Sequence, residues 1–164
     1  MTQIVSRKPT AVARLAAVET RQFVTISIDG QSFGIPVLLV HDVLGPQRIT
    51  RIPLAPAEVA GSLNLRGRIV TAIDIRRRLG MSPRPADATP MSVVVEEGGE
   101  LYSLLVDSVG EVLTLSEADW ERHPPTMDPH WRENSTGIYR LNDHLLVVLD
   151  VTRLLALGGR AEAA

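Results

Sequence analysis

One pattern occurs twice in this chain of 164 residues, and that repetition limits the fold more than any other feature. Val24 to Leu44 corresponds to Val93 to Leu113 at a constant offset of 69, pairing Val24 with Val93, Gly30 with Gly99, Phe33 with Tyr102, Val40 with Val109 and Asp42 with Glu111. A second block corresponds at an offset of 76, pairing Gly61 with Gly137, Leu65 with Leu141, Ile73 with Leu149, Asp74 with Asp150 and Leu79 with Leu155. The second copy is the first with seven residues added. Self-similarity of this kind means one supersecondary unit used twice. It divides the chain into an N-terminal extension (1–22), a first unit (23–79), a linker (80–91, GMSPRPADATPM), a second unit (92–155) and a tail (156–164).

Inside each copy the apolar period is two, the signature of strands. In FVTISIDGQSFGIPV, Val24, Ile26 and Ile28 alternate with Thr25 and Ser27, and Asp29-Gly30 is a hairpin turn signal. SVVVEEGGELYSLLV repeats this with Gly98-Gly99. A second hairpin follows in each copy, turning at Arg66-Gly67 in the first and at Asn142-Asp143 in the second, the latter pair suited to a type I′ turn. Each copy ends in a short helical segment, RRRLG or TRLLALG, preceded by Asp74 or Asp150 in an N-cap position. With the strand around VHDVL, each unit has about five short strands, the pattern of a small barrel. Units of this size are marginal alone, so a buried seam shared by the two is expected.

The net charge of −2 conceals an asymmetry. Residues 1–84 carry 12 basic and 5 acidic side chains, whereas residues 85–164 carry 5 and 14, giving +7 and −9. That predicts an electrostatic dipole, which bears on association rather than on fold.

Chemistry-bearing motifs are scarce. The chain has no cysteine, which excludes disulfides, thiolate metal sites and thiol nucleophiles. No phosphate-binding glycine loop, zinc-protease motif or nucleophile elbow occurs. The histidines 41, 123, 130 and 144 lack metal-ligand spacing, and His123 and His130 flank the PPTMDP loop, which reads as surface. Asp74 and Asp150 could be offered as an acid–base pair, but equivalent strand-to-helix positions make both helix caps. No catalytic residue, metal or cofactor is therefore assigned. A basic barrel binding nucleic acid is the second class to weigh, because arginines crowd the first copy. Such proteins stack bases on exposed aromatics. Phe23 and Phe33 are both in strand or core phase, and the run of arginines at 76–78 reads as a solvated first helical turn. No apolar run approaches the roughly 20 residues that cross a bilayer, so the reading is soluble and cytoplasmic.

Two residues resist a bland explanation. Arg66 is not demanded by its turn, since the second copy makes the same turn with Asn142-Asp143, and a guanidinium beside Gly67 at a tight tip suits a partner's carboxylates or carbonyls. Asp42, an acid within the apolar strand VHDVL, marks a solvent- or partner-facing position.

The runs FGIPVLLVHDV (33–43), ITRIPLAPAEVAGSLNLRG (49–67), IVTAIDIRRRLG and TGIYRLNDHLLVVLDVTRLL resemble the bacterial chemotaxis coupling family, CheW, from about Gln22 to Leu155. The resemblance implies an all-β fold of two tandem SH3-like five-stranded β-barrels with short helices and a hydrophobic groove between them. It implies a non-enzymatic adaptor joining the cytoplasmic tips of methyl-accepting chemoreceptors to the regulatory domain of the histidine kinase CheA, at receptor arrays on the inner face of the membrane and without direct membrane insertion. A coupler of a non-flagellar chemosensory pathway such as twitching motility would share these motifs. The resemblance carries receptor binding onto Val40, Asp42, Gly61 and Arg66, with Asn64 and Gly67 of the same GxxNLRG element counted as partner-binding. Asp42 stands where the family more often has Glu, Ser62 where it has Val or Ile, and Thr71 where Pro is common.

Overall fold

The computed structural model describes residues 19–156; the greater part of the 1–22 extension and all but the first residue of the 156–164 tail lie outside the described residues. The first repeat folds as a hairpin of β1 (Thr20–Ile28) and β2 (Gln31–Pro36), a strand β3 (Val40–Leu44), a hairpin of β4 (Val59–Leu65) and β5 (Arg68–Asp74), and one helical turn, α1 (Ile75–Arg78). The second repeat gives β6 (Met91–Glu97) with β7 (Glu100–Val106), then β8 (Ser108–Ser116), then β10 (Ser135–Arg140) with β11 (Leu145–Leu149), and α3 (Val151–Leu154). Its extra residues form a short strand, β9 (Trp120–Glu121), and a helical turn, α2 (Pro129–Glu133), neither of which the sequence pattern predicted.

The strands assemble across the repeats. One sheet runs β8-β1-β2-β11-β10-β9 and the other β3-β6-β7-β5-β4. Hairpin β1–β2 of the first repeat thus lies between β8 and β11 of the second, while hairpin β6–β7 of the second lies between β3 and β5 of the first. The segments 23–79 and 92–155 are units of sequence, and neither builds a sheet alone; the expected assignment of one barrel to each repeat is corrected by this exchange. Two parallel ladders stitch the halves together: Ser32 to Gly34 along Leu146 to Val148, and Thr71 to Asp74 along Tyr102 to Leu105. Parallel neighbours cannot be joined by a tight turn. They come from distant parts of this chain, which is how two repeats with only local hairpins interlock.

Alternation along these strands feeds separate cores. Val93, Val95, Leu104, Val106, Val147 and Leu149 face a central cluster of 17 buried residues drawn from both sheets, the shared seam expected from the size of the units. Their neighbours face the other way. Val94 and Leu105 join Leu63, Leu65, Val70 and Ala72 in a cluster within the second sheet, and Leu146 and Val148 join Phe23 and Tyr139 within the first. Strands buried on both faces read as near-continuous apolar runs, as SVVV and LLVVL do. Each such side chain contributes about 1.5–3 kcal/mol.

Exchange also redistributes the charge. The second sheet carries Arg68 on β5 together with Glu96, Glu97 and Glu100 on β6 and β7, so the basic and acidic halves of the sequence do not segregate between the sheets. Nor is the arginine run simply solvated. Arg76 is buried and holds Asp107 through two contacts, Nε to Oδ1 at 3.2 Å and NH2 to Oδ2 at 2.7 Å, while NH1 donates to the Ser82 and Pro83 carbonyls. Arg78 donates to the carbonyls of Arg153 and Leu154 at the end of α3. These bonds join α1 to elements of the second repeat and pin the start of the linker. The two helix caps are as expected: Asp74 accepts from the Arg76 amide at 3.1 Å and Asp150 from the Arg153 amide at 3.2 Å.

Candidate partner-binding site

The β4–β5 hairpin is closed by Arg66 and Gly67, both with left-handed backbone, φ 51° and 88°. Glycine adopts this region freely, but a residue with a Cβ does so at a cost of about 1–2 kcal/mol. The Asn64 side chain supports the turn by accepting from the Gly67 amide at 2.9 Å. The equivalent Asn142-Asp143 turn was expected to be type I′, yet neither residue has positive φ, and a Leu141 amide bond to the His144 carbonyl at 2.8 Å closes that hairpin. Arginine therefore holds the strained conformation that the asparagine of the second copy does not use. Strain retained at a poorly suited residue points to a role for its side chain.

That side chain meets Asp42. Arg66 NH2 lies 3.1 Å from Asp42 Oδ2, with the guanidinium 71% exposed and the carboxylate 26%. Asp42 Oδ1 accepts from the Val43 amide at 2.9 Å, which fixes the carboxylate on β3. Strands β3 and β4 are opposite edges of their sheet. An ion pair from β3 to the β4–β5 turn requires the sheet to curl until its edges face each other. The two-way amide–carbonyl bridge between Thr50 and Ser62, 2.8 Å each way, pairs the preceding loop with β4.

Gly61 makes that overlay possible. A Cβ at this position, where φ is 150°, would run into the Thr50 carbonyl, and the register shift between Val59 and Gly61 places a bulge there. Its repeat partner Gly137 has the same duty, with the Trp120 indole and the Glu121 carbonyl occupying the space of its absent side chain. Both glycines admit a close backbone crossing. Val40 is half-buried and packs against the central core. Of the six residues assigned to partner binding, the structure brings Asp42 and Arg66 together as an exposed polar pair; Gly61, Asn64 and Gly67 shape the loop that presents Arg66, and Val40 anchors the strand that presents Asp42.

Sequence reasoning missed Ile69, 69% exposed on β5 and paired in register with Asn64 beside the turn. A branched aliphatic in the outward phase of RIVTAI was the available signal. It also missed Asp107, which the Arg76 guanidinium, the Asp29 amide and nearby Arg84 hold below the usual carboxylate range even though burial pushes it up. An acid standing where the first repeat has Leu38 marks that position. His123 is half-buried, its Nε2 2.6 Å from the Ser135 hydroxyl, rather than a surface residue. Among the described residues no group of acids and histidines could hold a metal ion, and no helix is long and apolar enough to cross a membrane.

The two-sheet architecture has counterparts among known proteins. Residues 22–158 match the model of the CheW-like domain. The chain belongs to the CheW-like domain family. The crystal structure of the scaffolding protein TtCheW from Thermoanaerobacter tengcongensis superposes with a TM-score of 0.76 at 29% identity, covering 86% of this chain and 96% of that one. The chemotaxis protein CheW of Klebsiella aerogenes is 29% identical over 83% of this chain and 82% of its own length. That of Helicobacter pylori is 28% identical over 84% and 82%. This CheW-like chain is thus mainly β, as the sequence implied, and its relatives are named as chemotaxis and scaffolding proteins.

Proposed function

We propose that this CheW-like chain is a non-enzymatic coupler that joins the cytoplasmic tips of chemoreceptors to the regulatory domain of a CheA-type histidine kinase, in the cytoplasm at receptor arrays. The observation that carries the reading is the Asp42–Arg66 pair: a strained arginine, largely exposed yet tethered at 3.1 Å. A tethered guanidinium has lost part of its rotamer freedom before a partner arrives, and its remaining donors suit a helix's carboxylates or carbonyls. Exposed Ile69 beside it supplies apolar contact of the kind an amphipathic helix offers. A receptor tip, being a helical hairpin, presents both. Such an adaptor has no turnover; it acts by holding receptor and kinase in a geometry that differs between signalling states.

The test is co-elution of the purified full chain with the CheA regulatory domain and a receptor cytoplasmic fragment from its own organism. A ternary complex formed by the wild type, with Arg66→Glu losing the receptor fragment, supports the reading. Failure of both partners to co-elute overturns it.

A further inference from the structure

The connection between β2 and β3 displays an apolar side chain that the fold does not use. It is a single 3-10 turn, Val37–Leu39. Val37 and Leu39 pack against the central core, whereas Leu38 between them is 96% exposed. The repeat puts Asp107 at the equivalent position, so the turn itself does not demand a leucine. Leu38 lines a trough of about 350 Å³ together with half-buried Pro36 and Val37 and the start of β1, Thr20 to Gln22. The Gln22 amide donates to the Thr114 hydroxyl on β8 at 3.3 Å, which ties this end of β1 in place.

The upstream part of the chain joins the described fold at this trough. Thr20 and Arg21 line it, and the Glu19 carbonyl accepts from the Glu117 amide at 2.9 Å. The residues before Glu19 read TAVARLAAV (10–18). Alanine, leucine and arginine are the strongest helix formers, and threonine is a good N-cap. At the helical period Val12, Leu15 and Ala16 share one face, with Arg14 on the opposite one. A helix this short is marginal in water and gains stability by laying its apolar face on another surface. A short tether gives an effective concentration in the millimolar range, so a contact of small area suffices.

We propose that residues 11–18 of the N-terminal extension dock in the Leu38 trough of their own chain, Val12 and Leu15 against Leu38 and Val37, and act as an autoinhibitory segment. The turn leads directly into β3, which carries Val40 and Asp42, so a segment lying on Leu38 competes with a helix laid along that face. Receptor affinity of the full chain is reduced in proportion to the fraction of molecules with a free trough. This regulatory part rests on the receptor role proposed above; the docking does not.

The chain has no cysteine, so disulfide trapping on the full chain tests the docking. In a glutathione redox buffer, Leu15→Cys combined with Leu38→Cys is expected to close an intramolecular bond about tenfold faster than Arg14→Cys combined with Leu38→Cys, because position 14 lies on the far face of the docked segment. Equal rates for the two pairs overturn the proposal, as do bonds that form between chains, which would assign the trough to another copy. Leu15→Asp tests the regulation. It should bind a receptor cytoplasmic fragment about three- to tenfold more tightly than the wild type, with the same denaturant midpoint. Fast trapping with unchanged receptor affinity overturns the autoinhibition. If neither protein binds the fragment, the coupler reading falls and the autoinhibition with it, while the trapping rates still decide the docking.

Discussion

Arg66 and Asp42 come from opposite edges of one sheet and meet at 3.1 Å. The pair closes a curled sheet and leaves most of the guanidinium in solvent. An exposed ion pair contributes about 0–1 kcal/mol, less than or comparable to the cost of left-handed arginine. Stability therefore does not explain the choice of residue. Replacing Arg66 with Asn, which tolerates the left-handed region, is expected to leave unfolding free energy unchanged or raise it by about 0.5–1 kcal/mol, while receptor binding weakens by about 1–3 kcal/mol. Denaturant unfolding and titration with a receptor fragment read the two effects separately, and equal affinity for both proteins would return Arg66 to an incidental surface residue.

The Arg76–Asp107 contact gives a pH dependence. Asp107 is held below its usual range in the folded protein. The unfolded chain binds the proton more readily, so this contribution is complete above about pH 4 and is lost as pH falls through the lowered folded value. Asp107→Asn is expected to cost about 3 kcal/mol at neutral pH by leaving Arg76 buried without its counter-charge. It should also flatten the acid limb of the stability profile. Paired replacement by Arg76→Met and Asp107→Leu should recover most of the loss; chemical denaturation at pH 7 and pH 3 compares all three.

Asp150 caps α3 and touches nothing in the Asp42–Arg66 region that the structure records. Asp150→Ala is expected to lower stability by about 0.5–2 kcal/mol with receptor and kinase binding unchanged at temperatures where the protein stays folded. A selective loss of binding would contradict its assignment as a cap.

Strand exchange makes a sharper test of the fold. Expressed separately, residues 1–84 and 85–164 should each be unfolded, because hairpins β1–β2 and β6–β7 would lack the neighbours that flank them. Mixed, they should regain the β-sheet circular dichroism spectrum of the intact chain. Two fragments that fold independently would show that each repeat can close a barrel by itself.

Hairpins, caps and the repeat were legible because each rests on residues close in sequence: Asp29-Gly30 for a turn, Asp74 before a helix, alternation in FVTISI. The Asp42–Arg66 pair was legible as two separate anomalies, an acid in VHDVL and an arginine at a tip, without their contact. Sheet assembly was hidden because alternation records which face is buried and says nothing about the neighbouring strand. Ser32 gives no sign that Leu146 runs parallel to it. Arg76 was misread for a related reason, since its partner Asp107 is 31 residues away and the local sequence, three arginines after a cap, looks like any exposed helical turn.

The parallel ladders bear on how a coupler of the proposed kind would carry force between its partners. A pull on a helix gripped at Arg66 loads β5, and the strand beside β5 is β7, from the other half of the chain. Such a load has a route through the hydrogen bonds along β7 and the packed seam in addition to the proline-rich segment 80–91 that covalently connects the halves. In the proposed coupling role, a partner held at Arg66 would keep a fixed spacing from the other half of the chain under tension, and the molecule would act as a rigid bracket.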